Sequence, residues 1–431
     1  MSYIALTIGP IYKTLKDSKK PKELWSASYV FSYIMREIIK EFEDRNFITP
    51  YIKDKKVFED REVGLFHDRF IFEAKDGDLQ KLENVIGEVI SYLARDLNLD
   101  YEGVKNYLQI HYGEFEAKEN PIIEIMPYLD TKELFFQISQ DSDNKFINAI
   151  KDKSNFMLNG KNIKDDLKQL AYNKYFCVVH ADGDKMSEVI QDAKNLEKTS
   201  KELFEYCLNS NKLIKNYGGQ TIFAGGDDLL FFAPVVSKET SETIFDLCDA
   251  ISKDFENRFK NKATLSFGIS INYIKYPLYE ALEDSRNLLF GKAKQEPKNN
   301  IAYKVTKHSG QSFEAIIHKG STNTYKKFKD FVSDIKNKND NNNFLHSIHH
   351  KIETHKTTLS QIAHNKDRLK NFFDNYFNED EHKNYQEFFK NLIEYIYQVY
   401  QDDKIKDVKK IETVYSTLRF IKFIKGDKWD T

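Results

Sequence analysis

A short acidic turn between two apolar runs constrains this chain more than any other feature. Residues 221–232 read TIFAGGDDLLFF, with Gly-Gly-Asp-Asp at positions 225–228. Apolar runs rich in Ile and Phe on either side of a Gly-Gly turn predict a β-hairpin. Two adjacent carboxylates at its tip repel each other unless a cation lies beside them. The hairpin therefore predicts a cation-binding site as well as a fold.

A second acidic strand end lies upstream, where residues 175–184 read YFCVVHADGD. A buried strand ending in acids, beside a hairpin with acids at its turn, brings Asp182, Asp227 and Asp228 within a few ångströms of one another. Mg²⁺ or Mn²⁺ suits such a site, because these ions take few carboxylates and fill their remaining positions with water and substrate phosphates. We expect these three acids to be both the metal ligands and the catalytic residues of a two-metal site.

Glycines around these acids favour a nucleotide as the ligand. Gly225 and Gly226 permit a tight turn with positive φ and let a phosphate or a base approach the backbone closely. Gly183, Asp184 and Lys185 lie at a strand-to-helix turn, and phosphates favour the N-terminus of a helix. We therefore expect these five residues to take part in nucleotide binding.

Hydrophobic periodicity predicts an α+β fold in which one architecture occurs twice. Two β-α-β-β-α-β patterns indicate two ferredoxin-like palm domains. We assign residues 1–116 to the first palm, 117–172 to a helical linker, 173–306 to the second palm and 307–431 to a C-terminal helical bundle. The expected segments are 3–8, 23–42, 47–52, 68–74, 79–97 and 107–115 in the first palm, and 175–181, 198–216, 221–232, 241–259, 263–273, 277–294 and 300–305 in the second.

Composition excludes several other classes of protein. The three cysteines lie far apart without a CxxC pair, so neither a zinc knuckle nor a disulfide framework is expected. The chain shows no signal-peptide pattern and no apolar run near the roughly 20 residues that cross a bilayer, which predicts a soluble, cytoplasmic protein. From residue 301 onward, 23 Lys and Arg against 18 Asp and Glu permit contact with RNA, but lysine-rich solvated helices explain this bias equally well.

The two acidic motifs together resemble a known family. ADGDKM at 181–186, paired with FAGGDD at 223–228, resembles the palm polymerase domain in the large subunit of type III CRISPR effector complexes, which is similar to the GGDEF diguanylate cyclases. Order and spacing match over residues 1–305. Three weaker landmarks resemble the III-B-type large subunit: IGPIY at 8–12, ELWSASYVFSY at 23–33 and GLFHDRF at 64–70.

The resemblance implies a synthetase that couples ATP into cyclic oligoadenylate when the complex binds target RNA. Guide RNA, target RNA and other type III subunits would then be its partners. On the family pattern, Asp182 and Asp227 bridge or share the metals and Asp228 completes the site. Residues 291–300 (GKAKQEPKNN) resemble the triphosphate-binding segment of the cyclases, which assigns Lys294 and Lys298 to phosphate binding. A lysine-rich helix end that balances the helix dipole is the alternative.

Departures from the family pattern narrow the expected role. Many members begin with an HD nuclease domain, whereas this chain begins directly with the first palm, so DNA cleavage is not expected. The dipeptide His67-Asp68 lacks companion ligands and is interpreted as structural. The cysteines of the usual zinc-binding insertion are missing. The first palm has no acidic hairpin, which predicts a catalytically silent partner of the second palm.

Several alternatives stay open at the level of sequence. The same fold can join AMP to S-adenosylmethionine, and acceptor choice or ring size depends on pocket walls that the sequence does not reveal. A stand-alone GGDEF-like cyclase, an inactive scaffold and a plain surface Gly-Gly-Asp turn are further possibilities. One helix face carries His346, His349 and His350. We interpret it as a solvent-exposed surface near RNA in preference to a zinc site. Subunit contacts, the route of activation by RNA and residual nuclease activity are equally undetermined.

Overall fold

The computed structural model describes residues 1–16, 18–134, 142–152, 154–336, 342–377 and 385–424. Its first palm is a four-stranded antiparallel sheet with two long helices, as predicted. Apolar residues at helical spacing bury one face of each helix, and both Ile4 and Leu6 of the first strand are completely buried. The elements are β1 (Ser2–Gly9), α1 (Ile11–Lys16), α2 (Pro21–Lys40), β2 (Phe47–Thr49), β3 (Arg69–Glu73), α3 (Asp78–Asp96), α4 (Tyr101–Tyr107) and β4 (Gln109–Glu116).

The sheet order β2-β3-β1-β4 confirms the ferredoxin-like arrangement of the first palm. Helix α4 is a difference from the sequence prediction, which began a strand at Tyr107. The Asp100 side chain caps this helix by accepting a 2.7 Å hydrogen bond from the backbone N–H of Gly103. Strand β2 is shorter than predicted because Pro50 follows it and has no N–H to donate.

A helical region joins the two palms, as the broken pattern after residue 117 predicted. Asn120 caps its first helix by accepting hydrogen bonds from the N–H groups of Ile122 and Ile123. This region comprises α5 (Pro121–Glu133), α6 (Ser142–Lys151) and two 3₁₀ turns, Phe156–Leu158 and Leu167–Leu170.

The second palm repeats the fold of the first and extends it. Its sheet has the order β10-β9-β8-β5-β7-β6, in which the last four strands form the ferredoxin-like unit and β9 pairs parallel to β8. The elements are β5 (Tyr175–Asp184), α7 (Met186–Ile190), α8 (Leu196–Tyr217), β6 (Gln220–Gly225), β7 (Asp228–Pro234), α9 (Ile244–Arg258), β8 (Thr264–Tyr273), α10 (Leu278–Leu288) with the π-helical turn Leu289–Ala293, β9 (Asn300–Thr306) and β10 (Ser312–His318).

The two palms pack against each other with reciprocal contacts. Helix α2 of the first palm contacts β6 of the second, and α8 of the second contacts β2 of the first. Phe176 and Phe232 of the second palm lie in the same apolar core as Ile34 and Phe70 of the first. The palms therefore form an internal pseudo-dimer around one shared core.

Strand β10 differs from the helical bundle expected after residue 306. It pairs antiparallel with β9, and its alternate apolar residues Phe313 and Ile317 are buried. All of the predicted break at 378–381, and residues 339–341 of the predicted break at 339–343, lie outside the described residues. Within the described part of the chain, none of the helices has the length and apolar character needed to cross a bilayer. The remaining helices are α11 (Thr322–Lys336), α12 (Asn342–Thr354), α13 (Lys356–Ile362), α14 (Lys366–Tyr376), α15 (Gln386–Gln401) and α16 (Asp407–Ile424).

Candidate active site

The end of β5 and the tip of the β6–β7 hairpin lie side by side at one edge of the second sheet. Strand pairing places Ala181 opposite Leu229, which brings the following acid, Asp182, to the hairpin tip. Asp227 packs directly against the backbone of Gly183, since a Cβ at position 183 would lie 2.5 Å from its Oδ2 atom. The fold thus brings the predicted acids together, and glycine at 183 leaves room for the Asp227 carboxylate.

The electrostatics of this edge are those of carboxylates crowded together. The pKa of Asp227 is raised to about 7, first because protein surrounds its carboxyl group and then because the Asp182 carboxylate lies beside it. The pKa of Asp228 is raised by the same loss of hydration and by the charges of Asp227 and Asp182, although its side chain still contacts solvent. A cation placed here would relieve both effects.

The ammonium group of Lys294 lies at the acidic edge, which is the end of the second sheet that carries Asp182, Asp227 and Asp228. Its Nζ atom is 2.7 Å from Asp182 Oδ2 and 3.2 Å from Asp184 Oδ1, and it donates a hydrogen bond to the carbonyl oxygen of Gly183. Only 15% of the Lys294 side chain is exposed. The predicted phosphate-binding lysine and the predicted metal ligand are therefore direct neighbours.

A glycine lets the helix that leads to Lys294 approach the sheet closely. A Cβ at Gly268 would lie 2.2 Å from the carbonyl oxygen of Ser285 and 2.4 Å from the N atom of Leu289. Those two residues bracket the junction between α10 and its π-helical end, a rare geometry that is frequent at functional sites. Gly268 therefore faces helix backbone inside the core, as expected for an ordinary core strand.

Asp184 is placed differently from the other predicted nucleotide-binding residues. Its side chain is completely buried, and protein donors surround both carboxylate oxygens. By contrast, Lys185 is exposed at positive φ, and the Lys298 side chain is 36% exposed, near Glu296. Within the described part of the chain, neither Lys185 nor Lys298 forms an ion pair with Asp182, Asp227 or Asp228, so their assignment to phosphate stays a prediction.

The hairpin turn has the backbone geometry that its glycines predicted. Gly226 has φ of 65°, where an L side chain is strained, and open space surrounds it. At Gly225 a Cβ would lie 2.5 Å from the ring of Phe223. The thiol of Cys207 donates a 3.3 Å hydrogen bond to the carbonyl oxygen of Gly226 from the adjacent helix α8.

The first palm contributes a support for the hairpin that sequence reasoning did not assign. The backbone N–H of Ala224 donates to the carbonyl oxygen of Gly64 at 3.3 Å. His67 lies beneath Gly225 and is within 3.1 Å of Thr49 Oγ1 through its Nε2 atom. Burial lowers the pKa of His67 to about 4, so this imidazole is neutral at pH 7. The motif at 64–70 was the available signal, but its packing partner could not be read from sequence.

A preformed cluster of three ligand side chains is not found in the described residues. No group of three or more His, Cys, Asp or Glu side chains there has the arrangement of a metal centre. The acids at the hairpin nevertheless fit a Mg²⁺ or Mn²⁺ ion, because Mg²⁺ commonly binds one or two protein carboxylates and completes its shell with water and phosphate. In helix α12, the His349 ring lies against the ring of Tyr415, with centroids 4.4 Å apart and the planes tilted by 31°, whereas the His346 side chain lies outside the described residues.

Two protein-family models match successive parts of this chain. The family model "Cas10/Cmr2, second palm domain" matches residues 175–302, which contain the acidic edge and Lys294. The model "CRISPR-associated protein Cmr2, N-terminal" matches residues 3–98. The two matches follow the chain in the order of the two sheets.

Known proteins extend this comparison to sequence and fold. The CRISPR system Cmr subunit Cmr2 of Pyrococcus furiosus is 33% identical over 124 residues, which are 27% of this chain and only 14% of that protein. The Csm1-Csm4 cassette in complex with cA4 matches with a TM-score of 0.54 at 12% identity, over 97% of this chain and 69% of that chain. The cassette in complex with pppApA has the same TM-score and covers 99% and 69%. These structures share the fold of the whole described molecule.

Proposed function

Because this chain belongs to the Cas10/Cmr2 family, the large subunits of type III CRISPR systems, we propose that it is a target-RNA-activated nucleotidyltransferase that converts ATP into a cyclic oligoadenylate. The observation that carries the proposal is the pairing of Asp182 and Asp227 at the sheet edge with Lys294 beside them. Acids that hold a divalent cation and a lysine that holds phosphate are the two requirements of nucleotidyl transfer.

Asp182, Asp227 and Asp228 would hold the Mg²⁺ or Mn²⁺ ions. When bound, such ions activate a ribose hydroxyl and neutralise the charge on the reacting phosphate and the departing pyrophosphate. The raised pKa of Asp227 supports this assignment, because neighbouring carboxylates repel each other and a bound cation would relieve that repulsion.

Lys294 would contact the triphosphate of ATP from its place beside Asp182 and Asp184. Its ammonium group holds the only positive charge within bonding distance of Asp182 in the described residues. With divalent cations on the acids, the Lys294 ammonium group would contact phosphate oxygens. Gly226 adds an open backbone surface beside the acids, where a nucleotide can approach closely.

The partners of the protein follow from the family and remain part of the proposal. Solved structures with this fold are Csm1-Csm4 cassettes in complex with cA4 or with pppApA. We propose corresponding partners here: other type III effector subunits, and guide and target RNA through the complex. S-adenosylmethionine is retained as an alternative acceptor of AMP.

The proposal is tested by removing the two acids of the hairpin. The assembled complex is incubated with ATP, Mg²⁺ or Mn²⁺ and target RNA, and the products are analysed by mass spectrometry. Asp227→Ala with Asp228→Ala should abolish product while the complex stays intact. Asp76→Asn is the matched control, because Asp76 is an exposed acid beside Gly77 in the turn before α3 of the first palm, and its replacement should leave synthesis unchanged.

The same assay distinguishes the alternatives. Reactions with S-adenosylmethionine reveal a conjugate if AMP is joined to it, and linear or cyclic adenylates alone exclude that acceptor. A monomer that makes a cyclic dinucleotide from GTP would favour a stand-alone cyclase. If the unmutated complex makes no product under any of these conditions, the scaffold role replaces the proposed one.

A further inference from the structure

We propose that Asp184 is a positioning residue, which fixes Lys294 and the loop after it at the acidic edge instead of binding nucleotide itself. Asp184 lies at the end of β5, two residues beyond Asp182, and its side chain has no exposed surface. Its effect on nucleotide binding rests on the proposed function, whereas its effect on Lys294 does not.

The carboxylate of Asp184 is satisfied from three directions by the protein itself. Thr264 and Ser266 on β8 donate hydroxyl hydrogen bonds of 2.9 and 2.8 Å to its Oδ2 atom. The backbone N–H of Asn299 donates to the same atom at 3.0 Å, and Lys294 Nζ lies 3.2 Å from Oδ1. Charge-assisted hydrogen bonds of this kind are stronger than neutral ones, so the buried carboxylate holds these groups firmly in place.

Ser266 connects the Asp184 carboxylate to both ends of the loop that carries Lys294. Its hydroxyl oxygen accepts hydrogen bonds from the N–H groups of Asn299 and Asn300 at 3.2 and 3.4 Å. It also lies 3.3 Å from the carbonyl oxygen of Ala293, to which the Asn300 side chain donates at 2.9 Å. Both ends of the loop from 293 to 300 are therefore hydrogen-bonded to the pair Asp184 and Ser266 or to each other.

This arrangement determines where the lysine side chain can lie. Lys294 is the first residue after the π-helical turn, and its ammonium group is shared between Asp182 and Asp184. Without the Asp184 charge, Lys294 loses one of its two carboxylate partners, and the hydrogen bond from the Asn299 backbone N–H is weakened. The lysine would then sample positions away from the acids and react more readily with reagents in solution.

Amine acylation of Lys294 tests the proposal without any nucleotide. The full-length protein is treated briefly with acetic anhydride, and the modification of Lys294 is quantified by peptide mass spectrometry relative to the exposed Lys212. Asp184→Asn and Ser266→Ala should each raise the Lys294 rate about threefold or more, as expected from the loss of a net hydrogen-bond contribution. Ser270→Ala is the matched control, because Ser270 is also fully buried on β8 but bonds Asn272 instead.

Each outcome decides the proposal. An unchanged Lys294 rate in both variants overturns it, and so does an equal rise in Ser270→Ala, which would indicate general loosening. If Asp184→Asn fails to fold by circular dichroism, Ser266→Ala alone decides.

Binding of ATP with Mg²⁺ to the same proteins separates this proposal from the proposed function. Weaker binding in the two variants, with faster acylation, supports both. If the unmutated protein binds no ATP, the proposed function fails while the acylation result still decides the role of Asp184.

Discussion

At the scale of single residues, the acidic edge combines groups that differ in what they do. Asp182 and Lys294 are partly exposed and face the space where a nucleotide would bind, whereas Asp184 is fully enclosed. The sequence assigned Asp182 to metal binding and Asp184 to nucleotide binding, without indicating that Asp184 is enclosed by protein. Residues two apart share one face of a strand, so the difference arises from what covers each acid: Thr264, Ser266 and the backbone of Asn299 enclose Asp184.

Replacing Lys294 is the sharpest test at this scale. Lys294→Ala should weaken ATP binding by about tenfold or more, because a charged hydrogen bond to phosphate is worth roughly 1.5–3 kcal/mol. Lys292→Ala is the control: Lys292 lies two residues earlier and pairs with Glu314, away from the acids. Equilibrium binding of ATP in the presence of Mg²⁺ measures the effect, and equal weakening by both substitutions would contradict the assigned role.

At the scale of elements, the sequence predicted most helices and strands and the convergence of the acids. The Gly-Gly turn and the apolar runs were sufficient for the β6–β7 hairpin. Strand β10 was missed because its single short alternation, SFEAIIH, is followed by long helices, although the turn dipeptide Ser309-Gly310, with Gly310 at φ of 82°, precedes it. The support of the hairpin by Gly64 was inaccessible, since a contact between distant loops leaves no local pattern.

The close approach of α10 to β8 makes a prediction about glycine. Gly268→Ala should lower the free energy of unfolding by roughly 1–3 kcal/mol, as overpacking does, because the new Cβ would overlap the backbone at Ser285 and Leu289. Gly291→Ala, in the same helix end, meets nothing within 4 Å and should be neutral or slightly stabilising. Urea unfolding followed by circular dichroism compares them. Equal stability of the two variants would show that the helix end moves freely on the strand.

At the scale of the whole molecule, the two palms share one core and support one active edge. Helix α2 of the first palm contacts β6 of the second, and helix α8 of the second contacts β2 of the first. The loop at Gly64 in the first palm supports the β6–β7 hairpin of the second. The sequence predicted two palms and a silent first one, but not that the first would hold the hairpin in place. A domain without catalytic acids can thus be required for the geometry of the domain that has them.

The shared core predicts that the two palms unfold together. Ile222 of β6 in the second palm is fully buried in the core that also contains Trp25 of the first palm. Ile222→Ala should cost roughly 2–5 kcal/mol and lower the unfolding midpoint seen by Trp25 fluorescence as much as that seen by circular dichroism. Trp429→Phe in all proteins leaves Trp25 as the sole tryptophan, and Val408→Ala, at a side chain 76% exposed, is the neutral control. A Trp25 transition that stays in place while the circular dichroism transition moves would show that the palms fold as independent units.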